Sequence, residues 1–353
     1  MTADRKIKVV IVDDSALMRQ LLTKILSSDA GIEVVGAAPD PYAARAMIRE
    51  TNPDVVTLDI EMPKMDGLEF LEKIMRLRPT PVVMVSSLTQ AGADATLQAL
   101  ELGAIDFIGK PAMGLEQGMA TLSADIIAKV KAAAGAQVRP HKRAAAAIHT
   151  PIRYSATEKV VAVGASTGGV EALRYLIGRL PADSPALLVT QHMPANFTAS
   201  FATRLDGQAQ VTVMEARDGV RVLPGHVYVA PGGRHLELGR SGANYICKIT
   251  DDPPVSGHKP SVDVLFHSFA ERAGAGAVGI ILTGMGKDGA KGLKEMREAG
   301  ARTFGQDERS CVVYGMPKAA YDIGAVEKQC SLSDMPQAIL DSCAATTVRA
   351  VRV

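Results

Sequence analysis

The sequence predicts a two-domain α/β protein: a (βα)5 domain, then a doubly wound domain whose sheet is mainly parallel with an antiparallel edge. Within residues 1–130 and 159–348, short β-branched apolar runs alternate with segments of helical periodicity, which is typical of parallel sheets covered by helices. Between them, residues 131–158 show no apolar periodicity. A chain of 353 residues is also longer than one hydrophobic core usually supports.

The first predicted domain has five strands and five helices. The strand signals are the runs KVVIVDD, IEVVGAA, DVVTLDI, PVVMVSS and AIDFIGK. The helical segments between them are ALMRQLLTKILSS, PYAARAMIRE, GLEFLEKIMRL and DATLQALELG, and the last helix is LEQGMATLSADIIAKVKAAA. In such a doubly wound sheet, a ligand site lies outside the carboxyl ends of the strands.

The segment between the two domains reads KAAAGAQVRPHKRAAAAIHTPIRYSATE and covers residues 131–158. It is rich in alanine, proline and basic side chains, and we interpret it as an interdomain linker. A basic arm that binds nucleic acid is the alternative, which the small number of charges disfavours.

The second predicted domain shows strand signals at VVAVG, ALLVTQ, VTVM, HVYVA, HLELG, YICKIT and AVGIILTG. The closely spaced middle strands are separated by PGG and GRSG turns, which predict hairpins at one edge of the sheet. The outer strands are followed by helical segments, which predict parallel pairing.

Composition and charge exclude several classes of protein. The 39 basic and 38 acidic side chains leave a net charge of +1, so no long-range field favours nucleic acid or an anionic membrane surface. No apolar run approaches the roughly 20 residues of a membrane span, and the N-terminal MTADRKIKVVIVDD lacks the apolar core of a signal peptide. We therefore expect a cytoplasmic protein with no direct membrane insertion and no nucleic-acid partner.

The four cysteines are Cys247, Cys311, Cys330 and Cys343. Because they lie far apart without a CxxC pair, we expect buried thiols rather than a zinc site or a disulfide framework.

Polar side chains stand at the carboxyl ends of the strands in the first domain. Asp13 and Asp14 end the first strand, Asp59 the third, Ser86 the fourth and Lys110 the fifth. These ends share one edge of the sheet, and clustered carboxylates there suit Mg²⁺. A helix cap or a solvated acid is the alternative for any one of them. Their shared position at strand ends favours a functional site.

The motifs VDDSALMR, DVVTLDIEMPKMDGLEFL, VVMVSSLT and AIDFIGKP resemble those of response-regulator receiver domains, which have a flavodoxin-like fold. The resemblance implies that Asp59 accepts a phosphoryl group whose oxygens Ser86 and Lys110 contact. A carboxylate that attacks a phosphohistidine needs a cation to offset the gathering negative charge. The resemblance also implies the Mg²⁺ ligands: Asp14, Asp59, Asp13 through water, and the backbone carbonyl of Glu61.

A second candidate site begins at VGASTGG, where an apolar strand runs into a glycine-rich turn and a helix. Residues 164–168 match the G-x-S-x-G pattern, a turn that exposes a serine hydroxyl, but such a turn can also bind phosphate through backbone N–H groups. A nucleotide is disfavoured because the spacing is not G-x-G-x-x-G and no GK[ST] lysine is present. Asp183 also stands in a loop before the next strand, whereas a ribose-binding acid ends that strand.

Ser166, in this turn, has a histidine and an aspartate at the ends of other predicted strands. The strand PALLVTQ is followed directly by His192, and Asp288 lies in the glycine-rich loop after AVGIILTG. Parallel strands bring these ends together, so the three residues are candidates for nucleophile, base and orienting acid. Helix capping by Ser166 and Asp288, and an ordinary polar role for His192, are the alternatives.

The motif SGHKPSVDVLF carries His258, Ser261 and Asp263 close together. This spacing does not form a proton relay, because residues i and i+2 of a helix point apart. We expect Ser261 to be the N-cap of the following helix, with Asp263 in its first turn. His258 could line a substrate cleft.

Several motifs of the second domain resemble the catalytic domain of chemotaxis protein-glutamate methylesterases: VGASTGGVEALR, TQHMPANFTASFATRL, VYVAPGGRHLEL, HKPSVDVLF and ILTGMGKDGAKGL. With the receiver domain, the resemblance spans nearly the whole chain in the domain order of that family. It implies that Ser166 is the nucleophile, His192 the general base and then acid, and Asp288 the residue that orients the imidazole. The alanine-rich, basic linker departs from the family, so its interdomain contacts stay open.

The resemblance implies an enzyme of adaptation in bacterial chemotaxis. It would hydrolyse glutamyl methyl esters, and deamidate glutamines, on the cytoplasmic helices of methyl-accepting chemotaxis receptors, with no cofactor for the esterase reaction. Backbone N–H groups of Thr167 and Met285 are our candidates for stabilising the oxyanion. A chemotaxis histidine kinase would phosphorylate Asp59, and the receiver domain would then uncover the esterase site.

Three other functions are consistent with parts of the sequence. A receiver domain joined to a DNA-binding domain predicts a compact helical or winged unit, unlike this glycine- and strand-rich region of about 190 residues. A receptor-binding scaffold without activity would release no methanol. A nucleotide-dependent enzyme would bind a cofactor.

Overall fold

The computed structural model describes residues 5–63, 65–87, 89–110, 119–136 and 159–344. The chain forms two compact units, residues 1–143 and 144–353. Their boundary falls within the predicted linker, of which residues 137–158 lie outside the described residues. The domain limits at 130, 158 and 348 stay predictions.

The first unit is built on a five-stranded parallel sheet. Its strands are β1 (Ile7–Val12), β2 (Ile32–Ala38), β3 (Val55–Asp59), β4 (Val82–Ser86) and β5 (Asp106–Gly109). Its helices are α1 (Ala16–Ser27), α2 (Pro41–Thr51), α3 (Gly67–Leu77), α4 (Gln90–Glu101) and α5 (Met119–Ala134). The strand order is β2-β1-β3-β4-β5. Every predicted strand and helix is confirmed, although residues 115–118 of the last helix lie outside the described part.

The local sequence explains where four of these helices begin. Side-chain oxygens of Ser15, Asp40, Asp66 and Thr89 accept hydrogen bonds from backbone N–H groups in the first turns of α1 to α4. These bonds satisfy donors that the start of a helix leaves open. Strands β3 and β4 are buried at every residue, as expected of central parallel strands that helices cover on both faces.

The second unit is built on a larger parallel sheet. Its strands are β6 (Val160–Ala165), β7 (Ala186–Gln191), β8 (Thr212–Glu215), β9 (His226–Val229), β10 (His235–Ser241), β11 (Asn244–Thr250), β12 (Ala277–Ile281), β13 (Arg302–Gln306) and β14 (Lys328–Cys330). Its helices are α6 (Gly169–Ile177), α7 (Ala195–Asp206), α8 (Val262–Arg272), α9 (Ala290–Glu298), α10 (Met316–Asp322) and α11 (Met335–Cys343). Seven strands form the main sheet in the order β14-β13-β12-β6-β7-β9-β8, and all their pairs are parallel. Strands β13 and β14 were not predicted from the sequence.

The antiparallel pair of this unit is the hairpin β10-β11, which forms a two-stranded sheet of its own beside the main sheet. The hairpin buries Leu236, Leu238 and Cys247 in the same apolar cluster as Phe266 and Phe269 of α8. This burial of one face explains why the hairpin does not need to join the main sheet. The predicted fold class, two α/β domains with mainly parallel sheets and an antiparallel pair, is confirmed. The prediction of hairpins at one edge of the main sheet is wrong: β8 and β9 pair in parallel, and β9 and β10 do not pair across the PGG turn.

Two further expectations concern the whole chain. All four cysteines are buried, as predicted. Across the described ranges, none of the helices combines the length and apolar character that a membrane crossing requires.

Candidate active site

Ser166 directly follows β6, in a turn that leads into α6. The Ser166 N–H donates to the carbonyl of Thr283 at 3.0 Å, and the Ser166 carbonyl accepts from the N–H of Gly169 at 2.7 Å. Gly168 has a φ of 76°, a left-handed conformation that favours glycine, and a Cβ there would lie 2.6 Å from Cβ of Val312. The turn is therefore held on both sides, with Ser166 half-buried at the carboxyl edge of the sheet.

His192 follows the neighbouring strand at the same level. In the β6-β7 pair, Ala165 is opposite Gln191, and the His192 N–H donates to the Ala165 carbonyl at 3.1 Å. The Gln191 side chain also donates to the Ser166 carbonyl at 3.0 Å. Since adjacent strands lie roughly 5 Å apart, this register brings Ser166 and His192 side by side.

Asp288 is in contact with His192. The Nε2 atom of His192 lies 2.8 Å from Asp288 Oδ2, and the two side chains are 8% and 1% exposed. The carboxylate also accepts hydrogen bonds from Val262 N (2.7 Å), Ser261 Oγ (2.8 Å) and Asp263 N (3.1 Å). Burial would raise the pKa of Asp288, but His192 and the donors at Val262 and Ser261 outweigh it and lower that pKa to about 2. Asp288 therefore stays ionised at neutral pH.

The start of α8 supplies three of these donors. Ser261 occupies the N-cap position and Asp263 lies in the first turn, as predicted, but the Ser261 hydroxyl makes no capping hydrogen bond to its own helix. It donates to Asp288 instead, so that the aspartate from a distant loop caps α8. Burial and then the charge of Asp288 raise the pKa of Asp263, against the hydrogen bond from Gly292 N. The contact of Ser261 with Asp288 was not predicted.

The hydrogen bond to Asp288 determines which imidazole nitrogen is available. Because Nε2 of His192 faces the carboxylate, Nε2 carries the proton in the neutral ring and Nδ1 carries the lone pair. Nδ1 is buried and has no hydrogen-bond partner within the described part of the chain. The ring of His258 stacks on that of His192, with centroids 3.7 Å apart and an interplanar angle of 8°. His258 therefore covers one face of the imidazole.

The two predicted oxyanion donors flank Ser166. Thr167 is the next residue in the turn, and its carbonyl accepts from the hydroxyl of Thr283 at 3.0 Å. Met285 follows Gly284, which lies so close to the nucleophile candidate that a Cβ there would be 2.8 Å from Cβ of Ser166. The roles of the Thr167 and Met285 N–H groups as oxyanion donors stay predictions.

In the first unit, carboxylates from two strand ends meet. One ligand oxygen from each of Asp13, Asp14 and Asp59 lies within 4.8 Å of the others. Lys110 Nζ is 2.7 Å from Asp59 Oδ2 and 3.9 Å from Asp13 Oδ2, while Asp13 Oδ2 is buried and accepts no hydrogen bond from the described residues. Burial and the charge of Asp13 raise the pKa of Asp59 to about 6 in spite of the Lys110 hydrogen bond. An oxygen-rich cluster with an unsatisfied buried oxygen fits Mg²⁺.

Glu61 and Ser86 are the two other residues predicted for this site. The Glu61 N–H donates to Asp59 Oδ1 at 3.3 Å, and a metal-binding role of its carbonyl stays a prediction. The Ser86 hydroxyl lies 3.2 Å from the carbonyl of Gly92 and accepts from Thr96 Oγ1 at 2.7 Å. It is thus hydrogen-bonded to α4, and its contact with a phosphoryl group on Asp59 stays a prediction.

Comparisons with known proteins assign both parts of the chain to known families. Residues 161–339 match the family model of the CheB methylesterase, and residues 9–122 match that of the response regulator receiver domain. A protein-glutamate methylesterase/protein-glutamine glutaminase of Bordetella parapertussis is 59% identical over 339 residues, which cover 95% of this chain and 97% of the relative. The corresponding protein of Salmonella typhimurium is 57% identical over 338 residues, 95% of this chain and 96% of the relative. The crystal structure of the Thermotoga maritima CheB methylesterase catalytic domain is similar with a TM-score of 0.52 and 36% identity, covering 53% of this chain and 99% of that one.

Proposed function

The chain belongs to the CheB methylesterase family and carries a response regulator receiver domain, and on that premise we propose that Ser166, His192 and Asp288 are its catalytic triad. The protein is accordingly a hydrolase of the protein-glutamate methylesterase/protein-glutamine glutaminase type. The observation that carries the proposal is the 2.8 Å hydrogen bond between His192 Nε2 and Asp288 Oδ2. It leaves the lone pair of the neutral imidazole on Nδ1, in a residue that follows the strand next to Ser166, although Nδ1 makes no hydrogen bond to Ser166 or any other described residue.

In the first half of the reaction, Ser166 Oγ attacks the carbonyl carbon of a glutamyl methyl ester. Nδ1 of His192 takes the hydroxyl proton as the new C–O bond forms, and Asp288 stabilises the resulting imidazolium. The C–OCH₃ bond of the tetrahedral intermediate then breaks. The Nδ1–H group gives its proton to the leaving oxygen, methanol departs, and the glutamyl group remains esterified to Ser166.

In the second half, water replaces methanol. Nδ1 of His192 takes a proton from the water as its oxygen attacks the acyl carbon, and returns that proton to Ser166 Oγ when the ester bond breaks. The products are a free glutamate side chain and the regenerated hydroxyl. With a glutamine side chain the same steps release ammonia first. No cofactor takes part in this scheme.

The tetrahedral oxyanion needs donors that are already in place. We assign the backbone N–H groups of Thr167 and Met285 to this role. The support is that both residues belong to segments close to Ser166: the turn closed by the Gly169 N–H, and the loop in which a Cβ on Gly284 would lie 2.8 Å from Cβ of Ser166.

The substrates in this proposal are glutamyl methyl esters on the cytoplasmic helices of methyl-accepting chemotaxis receptors. The names of the relatives specify glutamate esters and glutamine amides of proteins, and the family resemblance adds the chemoreceptor and the role in adaptation. The protein acts in the cytoplasm in this scheme, on receptor segments that lie outside the membrane.

The receiver domain, residues 1–130, regulates the methylesterase domain, residues 159–348, through the linker between them. A chemotaxis histidine kinase donates a phosphoryl group to Asp59, which Lys110 contacts. Asp13, Asp14, Asp59 and the Glu61 carbonyl would hold Mg²⁺, whose charge offsets that of the phosphoryl oxygens. Phosphorylation adds nearly two negative charges, and such a change can shift a two-state equilibrium that regulates the methylesterase domain.

Methanol release from methylated receptor membranes tests the catalytic proposal. Ser166→Ala should release no methanol while keeping its circular dichroism spectrum. Full hydrolysis by a folded Ser166→Ala protein would exclude the triad. Asp59→Asn should retain basal methanol release but lose stimulation by a small phosphodonor, and unchanged stimulation in that variant would refute the regulatory scheme.

A further inference from the structure

The feature with the widest consequence outside the triad is Ser261, which is fully buried at the start of α8. Its hydroxyl donates to Asp288 Oδ1 at 2.8 Å. Its backbone N–H donates to Nδ1 of His235 at 3.2 Å. Ser261 thus connects the aspartate of the proposed triad with a histidine of the β10-β11 hairpin.

His235 is also fully buried, and its two nitrogens have different partners. Nε2 lies 3.1 Å from the carbonyl of Pro253, which can only accept, so Nε2 carries the proton. Nδ1 must then offer its lone pair to the N–H of Ser261. A proton on Nδ1 would place two donors face to face, so these partners select the neutral Nε2–H form of His235.

Each carboxylate oxygen of Asp288 accepts two hydrogen bonds. Oδ2 accepts from His192 and from Val262 N, whereas Oδ1 accepts from the Ser261 hydroxyl and from Asp263 N. Rotation about the bond to the carboxyl carbon would break all four bonds together. The Ser261 hydroxyl is the one side-chain donor on Oδ1 in the described structure, and it therefore helps to aim Oδ2 at the imidazole.

We propose that Ser261 is a positioning residue for hydrolysis, which orients Asp288 and through it His192, and that His235 holds Ser261 in place. The inference rests on the triad proposed above. A purely structural role as a helix cap does not account for the hydroxyl, because it makes no capping bond to α8. A chain of hydrogen bonds instead runs from His235 through Ser261 and Asp288 to the imidazole.

The charges around this chain come from three elements. His192 faces Asp288 from the end of β7, Asp263 faces it from the first turn of α8, and His258 covers the other side of the imidazole. His235 lies behind Ser261 and is neutral in the tautomer just derived. Removal of the Ser261 hydroxyl leaves these groups in place and changes one donor on the carboxylate.

The experiment compares two buried serines in the full-length protein, one at the N-cap of α8 and one within that helix. Ser261→Ala should lower kcat for methanol release about 10-fold with little change in KM, because the loss affects the alignment of the base and not substrate binding. Ser268→Ala is the matched control: Ser268 is also buried, and its hydroxyl donates to Leu265 O and accepts from Leu238 N. We expect it to lower Tm but to leave kcat unchanged.

A spectroscopic measurement separates positioning from stability. In protein with ¹⁵N-labelled histidine, the Nε2–H proton of His192 that faces Asp288 should give a downfield resonance that Asp288→Asn removes. Ser261→Ala should shift this resonance, because Asp288 then accepts one hydrogen bond fewer. Ser268→Ala should leave the resonance in place. His235→Asn, which keeps an acceptor near Nδ1, should retain more kcat than His235→Leu.

If Ser261→Ala does not fold, the comparison is repeated with Ser261→Thr and Ser261→Val. These two side chains have nearly the same shape, and only threonine has a hydroxyl. The Thr variant should exceed the Val variant about 10-fold in kcat. Equal kcat in the pair, or parental kcat and an unshifted resonance in Ser261→Ala, would overturn this inference while Ser166→Ala stays inactive. Activity in Ser166→Ala would instead overturn the triad itself.

Discussion

Asp59→Asn is expected to make the receiver domain more stable at neutral pH, although it removes the phosphorylation site. The Asp59 side chain is 1% exposed and lies beside the carboxylate of Asp13. Burial and that neighbouring charge raise its pKa from 3.8 to about 6, against the hydrogen bond from Lys110. An asparagine has nearly the same shape but no charge. The substitution therefore removes a charge that the fold holds at a cost.

The size and sign follow from the two pKa values. A raised pKa in the folded state means that the protonated carboxyl is favoured there, so ionisation destabilises the fold as the pH rises from 3.8 through about 6. At about 1.4 kcal/mol for each pH unit in that window, ionised Asp59 costs about 3 kcal/mol at pH 7.5. Tm changes by roughly 3 °C per kcal/mol in a domain of this size. Asp59→Asn should thus raise the Tm of the receiver domain by about 10 °C at pH 7.5, and by about half as much at pH 5.

Differential scanning calorimetry of the full-length protein in EDTA measures this effect. The transition of the receiver domain is the one that moves when Mg²⁺ replaces EDTA. Asp94→Asn, on the exposed face of α4, is the matched control and should leave Tm unchanged at both pH values. An Asp59→Asn protein with an unchanged or lower Tm at pH 7.5 would refute the electrostatic reasoning.

Three further outcomes are expected. Mg²⁺ at pH 7.5 should raise the receiver Tm more in the parent protein than in Asp59→Asn, because the ion relieves the repulsion between buried carboxylates; equal shifts in calorimetry would contradict this. Asp288→Asn should lower kcat for methanol release about 10⁴-fold. An amide N–H that faces His192 makes Nε2 the acceptor and leaves the imidazole proton on Nδ1. A loss in kcat below about 10-fold would show that Asp288 does not control the tautomer in this way. His258→Phe, which keeps a flat ring over the imidazole, should retain more kcat than His258→Ala, and equal kcat for the two would show that the stacking does not position His192.

The strand-end arrangement of both sites could be predicted from the sequence. Parallel strands present their carboxyl ends along one edge, so residues at the ends of apolar runs, or in the loops that follow them, become neighbours however far apart they are in the chain. Asp13 and Asp59 meet in this way, and so do His192 and Asp288. The apolar periodicity predicted where these strands lie, and the motifs predicted which polar residues stand at their ends.

The use of Nε2 rather than Nδ1 by Asp288 could not be predicted. It depends on the rotation of the His192 ring, which the approach of the Asp288 loop to the start of α8 determines. Ser261 and Asp288 are 27 residues apart, and a capping pattern in the sequence refers only to the helix that follows it. The position of Ser261 was therefore predicted correctly, but its bond to the aspartate was not.

Strand β13 could not be predicted because its residues RTFGQ do not form an apolar run. Its polar side chains make hydrogen bonds that hold the neighbouring strand end. Oε1 of Gln306 accepts from Thr283 N at 2.8 Å, and the carbonyl of Thr283 accepts from Ser166 N at 3.0 Å. A leucine in place of Gln306 would fit an apolar pattern but leave the buried Thr283 N–H unpaired, at a cost of about 1–3 kcal/mol. It would also loosen the strand end that holds the Ser166 turn. The polarity that hides β13 from a pattern search is thus part of what keeps the proposed nucleophile in position.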